Sequence, residues 1–479
     1  MKDVLLIYPP VNFIGDRPFV MHLDSPPLGL VYLRAYVHRF SKDYRVHWID
    51  AGGDRLTLED IRQKIVSVRP WVIGMTLLTS QLQGAMDIVK MIREKISRDI
   101  PIFAGGPHVT ADPTFIDRHP GCFDYGIVGE AEGTFLHALD QLARGEPLPR
   151  ILEGEPLMDL EVFPIPERYR FRRENYWKRQ HVAGTRSCPY HCYFCSNPVG
   201  TRGRKMRFAS NRRVIDEIKY NYDFYKGVIK WLDENFTLDH DRVMEFCHMV
   251  KKEDLRLHYF VFSRIDTVNE LMLKTMKESG LDNLACGIEA GDERIRNDVV
   301  NKGGVTNAMI YQVDEWCQKY DINFSAYFML GHPTENERTI KATRDLIFDL
   351  HLHQLSLTIP TPYPGSRLFE IAESEGIISP SIVDRFARKE FGEGFWGTYP
   401  VYVSQDLEID YVVSELKDIY RKFYYDPQRV ASIVKEQFTS WDDVVMGGRY
   451  IKSLLKGASY QRDYSGYRGY FKRIGLERT

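Results

Sequence analysis

Cys188-Pro189-Tyr190-His191-Cys192-Tyr193-Phe194-Cys195 places three thiols within eight positions, a density that belongs to a metal or cluster site rather than to scattered core cysteines. A structural zinc site takes four protein ligands, and iron-sulfur clusters are likewise normally held by four cysteines. No further close pair of cysteines flanks the stretch. Three thiolates on a redox cluster would leave one iron with an open position, where a substrate or cofactor can bind and be reduced. A zinc knuckle lacking its last ligand, His181 or His191 as a fourth ligand, and chance spacing are the other readings of the same residues.

The bulk of the chain sets bounds on the housing. At 479 residues it is too long for a single core and divides into two to four domains. Its 64 Lys and Arg against 66 Asp and Glu leave a net charge of -2, which argues against a general polyanion binder, and no nucleic acid partner is expected. Seven cysteines, three of them clustered, suit a reducing cytoplasm rather than a disulfide scaffold. The opening Met1-Lys2-Asp3-Val4-Leu5-Leu6-Ile7-Tyr8 has an apolar run too short for a signal peptide and reads as a first buried strand. No stretch approaches the ~20 apolar residues of a membrane span.

Toward the N terminus, residues 1 to about 145 alternate apolar runs with helical patterns, which predicts a parallel sheet with helices on both faces. Strands are expected near 4–8, 45–49, 71–75, 102–104 and 125–128, and helices near 28–40, 58–68, 81–96 and 131–142. Such a flavodoxin-like (Rossmann-type) unit binds ligands beyond the carboxyl ends of its strands. Those ends carry Pro27-Leu28-Gly29, Asp50-Ala51-Gly52-Gly53, Thr76-Leu77-Leu78-Thr79-Ser80, Gly105-Gly106-Pro107-His108-Val109-Thr110 and Gly129-Glu130-Ala131-Glu132-Gly133-Thr134. Glycines there let backbone approach a bulky ligand, and Thr and Ser supply adaptable hydrogen bonds. The same residues also simply make turns. Residues 146–180, rich in Pro, Glu and Arg, read as a linker.

The C-x-x-x-C-x-x-C spacing, with Phe194 before the last Cys, resembles the cluster motif of radical S-adenosylmethionine (SAM) enzymes. The resemblance implies a [4Fe-4S] cluster on Cys188, Cys192 and Cys195, SAM at the open iron, and one-electron cleavage to a 5'-deoxyadenosyl radical. The N-terminal strand ends are similar to the cobalamin-binding domain that precedes the barrel in the B12-dependent subgroup. Cobalamin contacts are thereby implied at Leu28, Gly29, Thr76, Thr79, Ser80, Gly105, Gly106, Pro107, His108, Thr110, Gly129, Glu130, Glu132 and Thr134. The Asp-x-His-x-x-Gly motif that supplies a cobalt-ligating histidine elsewhere is missing. Asp117-Arg118-His119-Pro120-Gly121 is one residue short and follows the wrong strand. The implied cobalamin is base-off, with no protein histidine on cobalt and His108 a contact or a packed loop residue.

From His181 to about Gly376 the alternation resumes, with strands expected at 182–185, 228–232, 259–263, 283–288, 325–329 and 354–358. Six such units predict a partial (βα)6 barrel of the TIM type, with the cysteine loop directly after its first strand. By resemblance, SAM contacts fall at Phe194, at Asp233, Glu234 and Asn235, at Ser263 and Arg264, at Glu289, and at Gly331 and Glu335. Glu335 reads equally well as a helix-start acid favoured by the dipole. Tyr363, in Thr361-Pro362-Tyr363-Pro364-Gly365-Ser366, faces substrate or packs beneath the turn. Cys122, Cys247, Cys286 and Cys317 read as isolated thiols.

Residues 377–479 form a third, mostly helical region. From Arg449 onward it carries eight basic residues against two acidic ones, interleaved with aromatics. That tail is either a solvated face packed on its own domain or a contact with an anionic membrane surface or a phosphate-bearing substrate. The resemblance implies a cytoplasmic, or membrane-peripheral, cobalamin-dependent radical SAM methyltransferase. It would act on an unactivated carbon or a phosphinate phosphorus of a small-molecule or lipid substrate, through methylcobalamin and a deoxyadenosyl radical. An external electron donor such as flavodoxin or ferredoxin is implied with it. A cobalamin-dependent oxidative cyclase and a non-catalytic iron-sulfur sensor are the alternatives.

Overall fold

The computed structural model describes residues 1–15, 17–19, 27–165, 179–196, 205–379, 381–392, 396 and 402–425. The chain divides into two compact units. The first comprises residues 1–190, 195–234 and 363–397, and the second 191–194, 235–362 and 398–479. The basic, aromatic tail from Arg449 lies outside the described residues.

The first unit is built on six parallel strands. They are β1 (Lys2–Tyr8), β4 (Tyr44–Asp50), β5 (Val72–Thr76), β6 (Ile102–Gly105), β7 (Tyr125–Val128) and β8 (Ile151–Glu153), in the order β4-β1-β5-β6-β7-β8. The hairpin β2 (Asn12–Ile14) and β3 (Arg17–Phe19) stands apart from the sheet. Val4, Leu5, Leu6 and Ile7 are all buried, as expected of a central parallel strand covered on both faces, which reads as a continuous apolar run. One layer of the core gathers Val4, Leu6, Val72, Phe103 and Ile127 under Leu30, Leu33, Val37, Phe135 and Leu139. Helices start where the sequence provides caps: Thr57 and Asp60 close a capping box on Leu58–Val68. The expected five strands are present, and β8 extends the sheet from within the stretch read as a linker. Its short, Pro-flanked Ile-Leu-Glu is too brief to show period-two patterning.

The first unit continues into β9 (Gln180–Val182), β10 (Thr185–Arg186), β11 (Arg207–Phe208) and β12 (Val228–Trp231). β9 pairs in parallel with β12, and β10 pairs antiparallel with β11. The strand expected at 182–185 therefore ends at Val182. Asp233 is the reason: its Oδ1 accepts the N–H groups of Gly184 at 2.7 Å and Thr185 at 3.0 Å. Those donors turn to a side chain instead of a ladder.

The second unit has four parallel strands, β13 (His258–Ser263), β14 (Leu281–Glu289), β15 (Asn323–Met329) and β16 (Gln354–Thr358), paired in that order. All six strands expected of the barrel thus form. Register puts Phe262, Ala285 and Gly287 on the face shared by Tyr327 and Ser356. Val261, Leu284, Cys286, Phe324, Phe328 and Leu357 fill the opposite, buried face. The helix Ile409–Tyr424 joins this unit: Tyr420 donates to the Leu357 carbonyl at 2.9 Å, Tyr424 to that of Leu355 at 2.7 Å, and Arg344 pairs with Glu415 at 2.7 Å.

The segment 381–396, expected in the C-terminal region, belongs to the first unit. Asp384 accepts from Arg118 Nε at 2.7 Å and pairs with buried His119 at 2.9 Å, while Gln83 donates to the Phe386 carbonyl at 3.0 Å. Asp384→Ala leaves buried His119 without its carboxylate, while Arg118 keeps Asp112 at 2.6 Å. It should destabilise the first unit by about 1–2 kcal/mol, read as a lower midpoint of thermal unfolding.

Candidate functional site

In the first unit the strand ends border a cavity of about 580 Å³, within the usual size of a ligand site. Its floor is apolar, with Leu6, Phe103, Ile127 and Phe135. Leu28 and Gly29 open one side, and Thr76, Gly105, Gly106 and Pro107 another. Gly106 has φ +92°, and a Cβ there would lie 2.5 Å from Thr76 Oγ1, so only glycine lets the loop follow this path.

The rim is charged. Glu130 accepts from Arg207 at 2.9 and 2.5 Å and from the Leu157 N–H at 3.1 Å, and Arg186 reaches Glu130 at 3.1 Å and Glu132 at 2.6 Å. Burial works against the Glu130 carboxylate, but the two guanidiniums outweigh it and hold its pKa below the ordinary value. Arg213 pairs with Glu217 at 3.4 Å, and the Tyr32 hydroxyl donates to Glu217 at 3.1 Å. Burial raises Glu217. Glu130, Glu132, Arg186, Arg213 and Glu234 all line the cavity, as does Gly129.

Five of the residues expected to touch cobalamin do not line this cavity. Thr110 instead ties two loops together, accepting the Gly129 N–H at 2.9 Å and donating to the Gly106 carbonyl at 3.0 Å. Thr79 bonds His108 Nδ1 at 3.1 Å, Thr134 reaches the Glu153 carbonyl at 3.4 Å, and Ser80 is half-buried in its helical turn. His108 is fully buried, edge-on to Phe115 at 4.8 Å, and burial pushes its pKa down to about 4. It packs within the short helix Pro107–Ala111, and among the described residues no histidine lines the cavity. The glycine cradle, apolar floor and charged rim fit part of a large, amide-edged corrinoid.

Cys188, Cys192 and Cys195 are each half-buried and unbridged. Among the described residues, no three His, Cys, Asp or Glu side chains are gathered around one metal position. The donor set nevertheless suits an anionic cluster, because cations approach it in the second unit. Arg264 Nη1 lies 3.9 Å from Cys192 Sγ. The same guanidinium holds Asp266 at 2.9 and 2.8 Å and donates to the Lys302 carbonyl. Lys302 is buried, with Nζ 3.0 Å from Glu289 Oε1 and 3.0 Å from the Gly287 carbonyl. Burial alone would lower this ammonium, but Glu289 and Cys192 nearby raise it.

Glu289 itself sits at φ +72°, at the end of β14, and a Cβ on Gly287 would lie 2.3 Å from its carboxylate. The ion pair therefore tucks into space that only glycine leaves. Asn235 Oδ1 accepts the Arg264 N–H at 3.2 Å, which ties two strand ends together. Asn235 Nδ2, Ser263 Oγ and Glu335 Oε1 are buried without a hydrogen-bond partner among the described residues. Orphaned polar atoms at strand ends are what a polar ligand such as SAM would satisfy. Phe194 lies edge-on to Tyr193 at 5.8 Å.

Other expected contacts do structural work. Asp233 holds the backbone after β9, as described above. Tyr363 is half-buried, and its carbonyl accepts from Ser366, which caps the helix Arg367–Ser374. Glu335 is neither a cap nor solvent-facing: Asn336 caps the helix Glu337–Asp349, while Glu335 Oε2 accepts the N–H groups of Gly331 at 2.7 Å and His332 at 2.9 Å. Burial pushes Glu335 up to about 7 in spite of those two donors.

An acid whose folded pKa is raised binds its proton more tightly folded than unfolded, so this stabilisation is present below the ordinary carboxylate range and is lost as pH rises from there through about 7. Glu335→Gln, which keeps the acceptor and removes the titration, should flatten the decline. The variant should melt higher than wild type at pH 8 but not at pH 4, by an amount on the order of 2–3 kcal/mol.

Sequence reasoning did not single out Tyr193, His332 or Lys302. Tyr193 and His332 lie inside stretches already marked, but nothing in their spacing shows that they meet, with Tyr193 Oη 2.8 Å from His332 Nδ1. Lys302, thirteen residues beyond Glu289, carries no local signal.

Residues 182–347 match the radical SAM superfamily, and residues 19–139 match the B12 binding domain. The chain is 28% identical over 476 residues to an uncharacterized methyltransferase of Pyrococcus horikoshii, covering 95% of this chain and 98% of that protein. It is 24% identical to an anaerobic magnesium-protoporphyrin IX monomethyl ester cyclase of Rubrivivax gelatinosus, covering 72% of this chain and 66% of the cyclase. The solved radical SAM methyltransferase TsrM of Kitasatospora setae shares the fold, with a TM-score of 0.71 at 16% identity over 95% of this chain and 99% of TsrM. The chain carries both a radical SAM domain and a B12-binding domain.

Proposed function

We propose that the chain is a cobalamin-dependent radical SAM methyltransferase acting on an unactivated carbon or a phosphinate phosphorus of a small-molecule or lipid substrate. The observation that carries this reading is the three-cysteine loop, standing in a chain that holds both a radical SAM and a B12-binding domain. Methyltransferases among the relatives support it, including a bacteriochlorophyllide d C-8(2)-methyltransferase of Chlorobaculum tepidum and a cytidylyl-2-hydroxyethylphosphonate methyltransferase of Streptomyces wedmorensis. When bound, the cluster, SAM and cobalamin supply the electron, radical and methyl-carrying chemistry, and the protein supplies binding and orientation.

Cys188, Cys192 and Cys195 hold the cluster, and Arg264 and Lys302 set positive charge beside it. Asn235, Ser263, Glu289, Gly331 and Glu335 take SAM, with Phe194 packing nearby. Residues 1–145 form the cobalamin domain, 181–376 the barrel and 377–479 a C-terminal region that sends its segment 381–396 back to the first unit. Leu28, Thr76, Gly105, Gly106, Gly129 and Glu130 receive the corrinoid. It is base-off and without a protein ligand on cobalt, since the Asp-x-His-x-x-Gly motif is missing from the sequence. The face bearing Phe262 and Tyr327 is assigned to substrate. Tyr327, in a central strand, is 37% exposed there. A flavodoxin or ferredoxin supplies electrons, and the protein works in the cytoplasm, with any membrane contact made through its C-terminal tail. Among the described residues, no helix is long and apolar enough to cross a membrane.

The cyclase relative supports a second reading, oxidative cyclisation without net methylation. Anaerobic reconstitution with iron, sulfide, hydroxocobalamin, SAM and reductant tests both. The expected outcome is a bound-cobalamin absorbance, 5'-deoxyadenosine and S-adenosylhomocysteine, with deoxyadenosine abolished when the three cysteines are replaced by Ala. Deoxyadenosine without S-adenosylhomocysteine or methylated product favours the cyclase. Deoxyadenosine formation that survives loss of the cysteines would falsify the radical SAM assignment.

A further inference from the structure

The second unit contains a closed circuit of contacts that begins and ends at Cys192. Tyr193, next in sequence, is buried and places its hydroxyl 2.8 Å from His332 Nδ1. His332 Nε2 lies 3.3 Å from the Glu289 carbonyl. A carbonyl can only accept, so Nε2 carries the proton and Nδ1 accepts from the tyrosine O–H. Burial keeps the imidazole neutral by pushing its pKa down to about 4, which leaves one arrangement of hydrogens. Glu289 then holds Lys302 through its carboxylate, the Lys302 carbonyl accepts from Arg264, and Arg264 returns to Cys192 Sγ.

Each link sits where movement is costly. His332 is fully buried, and its own N–H is held by Glu335. Glu289 is in the left-handed region, a conformation that costs on the order of 1 kcal/mol or more unless its surroundings hold it. Two backbone contacts pin the cysteine loop to the same neighbourhood: Tyr193 N–H donates to the Val300 carbonyl at 3.3 Å, and Asn301 Nδ2 to the His191 carbonyl at 3.1 Å.

We propose that Tyr193 and His332 are positioning residues, a two-hydrogen-bond strut that sets the cysteine loop against the strained end of β14 and so aligns a cluster ligand with the residues that receive SAM. The proposal rests on the radical SAM reading. A polar strut does this better than an apolar contact because its two hydrogen bonds fix the distance and the ring orientation together. The Tyr193 hydroxyl is buried beside His332, and a leucine at 332 would leave it unsatisfied.

The test compares reconstituted wild type, Tyr193→Phe, His332→Leu and His332→Gln. Gln keeps one acceptor and one donor in nearly the places of the two ring nitrogens. The readouts are iron and sulfide content, melting temperature, SAM affinity by equilibrium dialysis, and the electron paramagnetic resonance signal of the reduced cluster with and without SAM. Tyr193→Phe and His332→Leu should keep a full cluster. Their SAM affinity should fall about tenfold, the worth of one or two net hydrogen bonds, and the SAM-induced change in the signal should broaden or vanish. His332→Gln should return to within about twofold of wild type.

Wild-type affinity and an unchanged SAM-induced signal in His332→Leu overturn the proposal. So does loss of cluster in Tyr193→Phe and His332→Leu, since residues that merely hold the fold would give that result. A wild type that binds the cluster but shows no response to SAM overturns the enzymatic reading itself and is told apart by that control.

Discussion

A buried ammonium has to be answered at close range, and Lys302 has its answer in a carboxylate and a carbonyl, each 3.0 Å away. Removing one partner of such a pair costs about 3–5 kcal/mol, because the other charge is left uncompensated. Much of the local geometry follows from that constraint. Glu289 has to turn its side chain toward Lys302 from the last position of β14, where register with β15 shifts between Gly287 and Glu289. The left-handed φ at Glu289 and the bare Cα at Gly287 make room for the pair. Arg264 then caps the Lys302 carbonyl and brings a second cation to Cys192. Two cations thus stand near Cys192 Sγ, where positive charge would favour an anionic group.

Two buried glutamates show how neighbours, rather than burial, decide protonation. Glu130 loses water but gains Arg186 and Arg207, and its pKa falls. Glu335 loses water and gains only two backbone N–H groups, and its pKa rises to about 7. At Glu130 two guanidiniums outweigh desolvation, and at Glu335 two amide dipoles do not. The rim of the cavity is thus a fixed set of ion pairs, whereas the turn after β15 holds an acid able to change state near neutrality. The rim is held by its own ion pairs, whereas the turn keeps Glu335 Oε1 without a partner among the described residues.

The parallel strands were legible because burial on both faces leaves an unbroken apolar run, as in Val4-Leu5-Leu6-Ile7, and because Gly-rich or Pro-rich ends punctuate it. β8 escaped that logic by being three residues long, and the first barrel strand was placed late because Asp233, about fifty residues onward, claims the amides that would have extended it. The cysteine loop could be read from spacing alone. The circuit around it could not, since Tyr193, Glu289, Lys302 and His332 lie up to 139 positions apart and meet only after the sheet has formed. Thr79, Thr110 and Thr134 illustrate the converse error. A hydroxyl at a strand end looks like a ligand contact in sequence, yet these three spend their hydrogen bonds holding neighbouring loops.

The strands of the second unit carry the argument one step further. On β13 to β16 the face packed under helices is mostly apolar and excluded from water, so its sequence answers chiefly to packing density. The other face mixes Phe260, Phe262 and Tyr327 with Gly287, Ser356 and Thr358, and β15, a central strand, keeps Tyr327 37% exposed. A core would not leave a large aromatic in that state, since burying it is worth about 1.5–3 kcal/mol. Rings 6.0 Å apart at Phe262 and Tyr327, beside hydroxyl-bearing neighbours, give this face an aromatic surface with a polar edge. β13 and β14 end at Ser263 and Glu289, and Gly331 stands two residues beyond the end of β15, so the aromatic face and these strand ends belong to one sheet. Alignment between them is then set by strand register rather than by loop conformation.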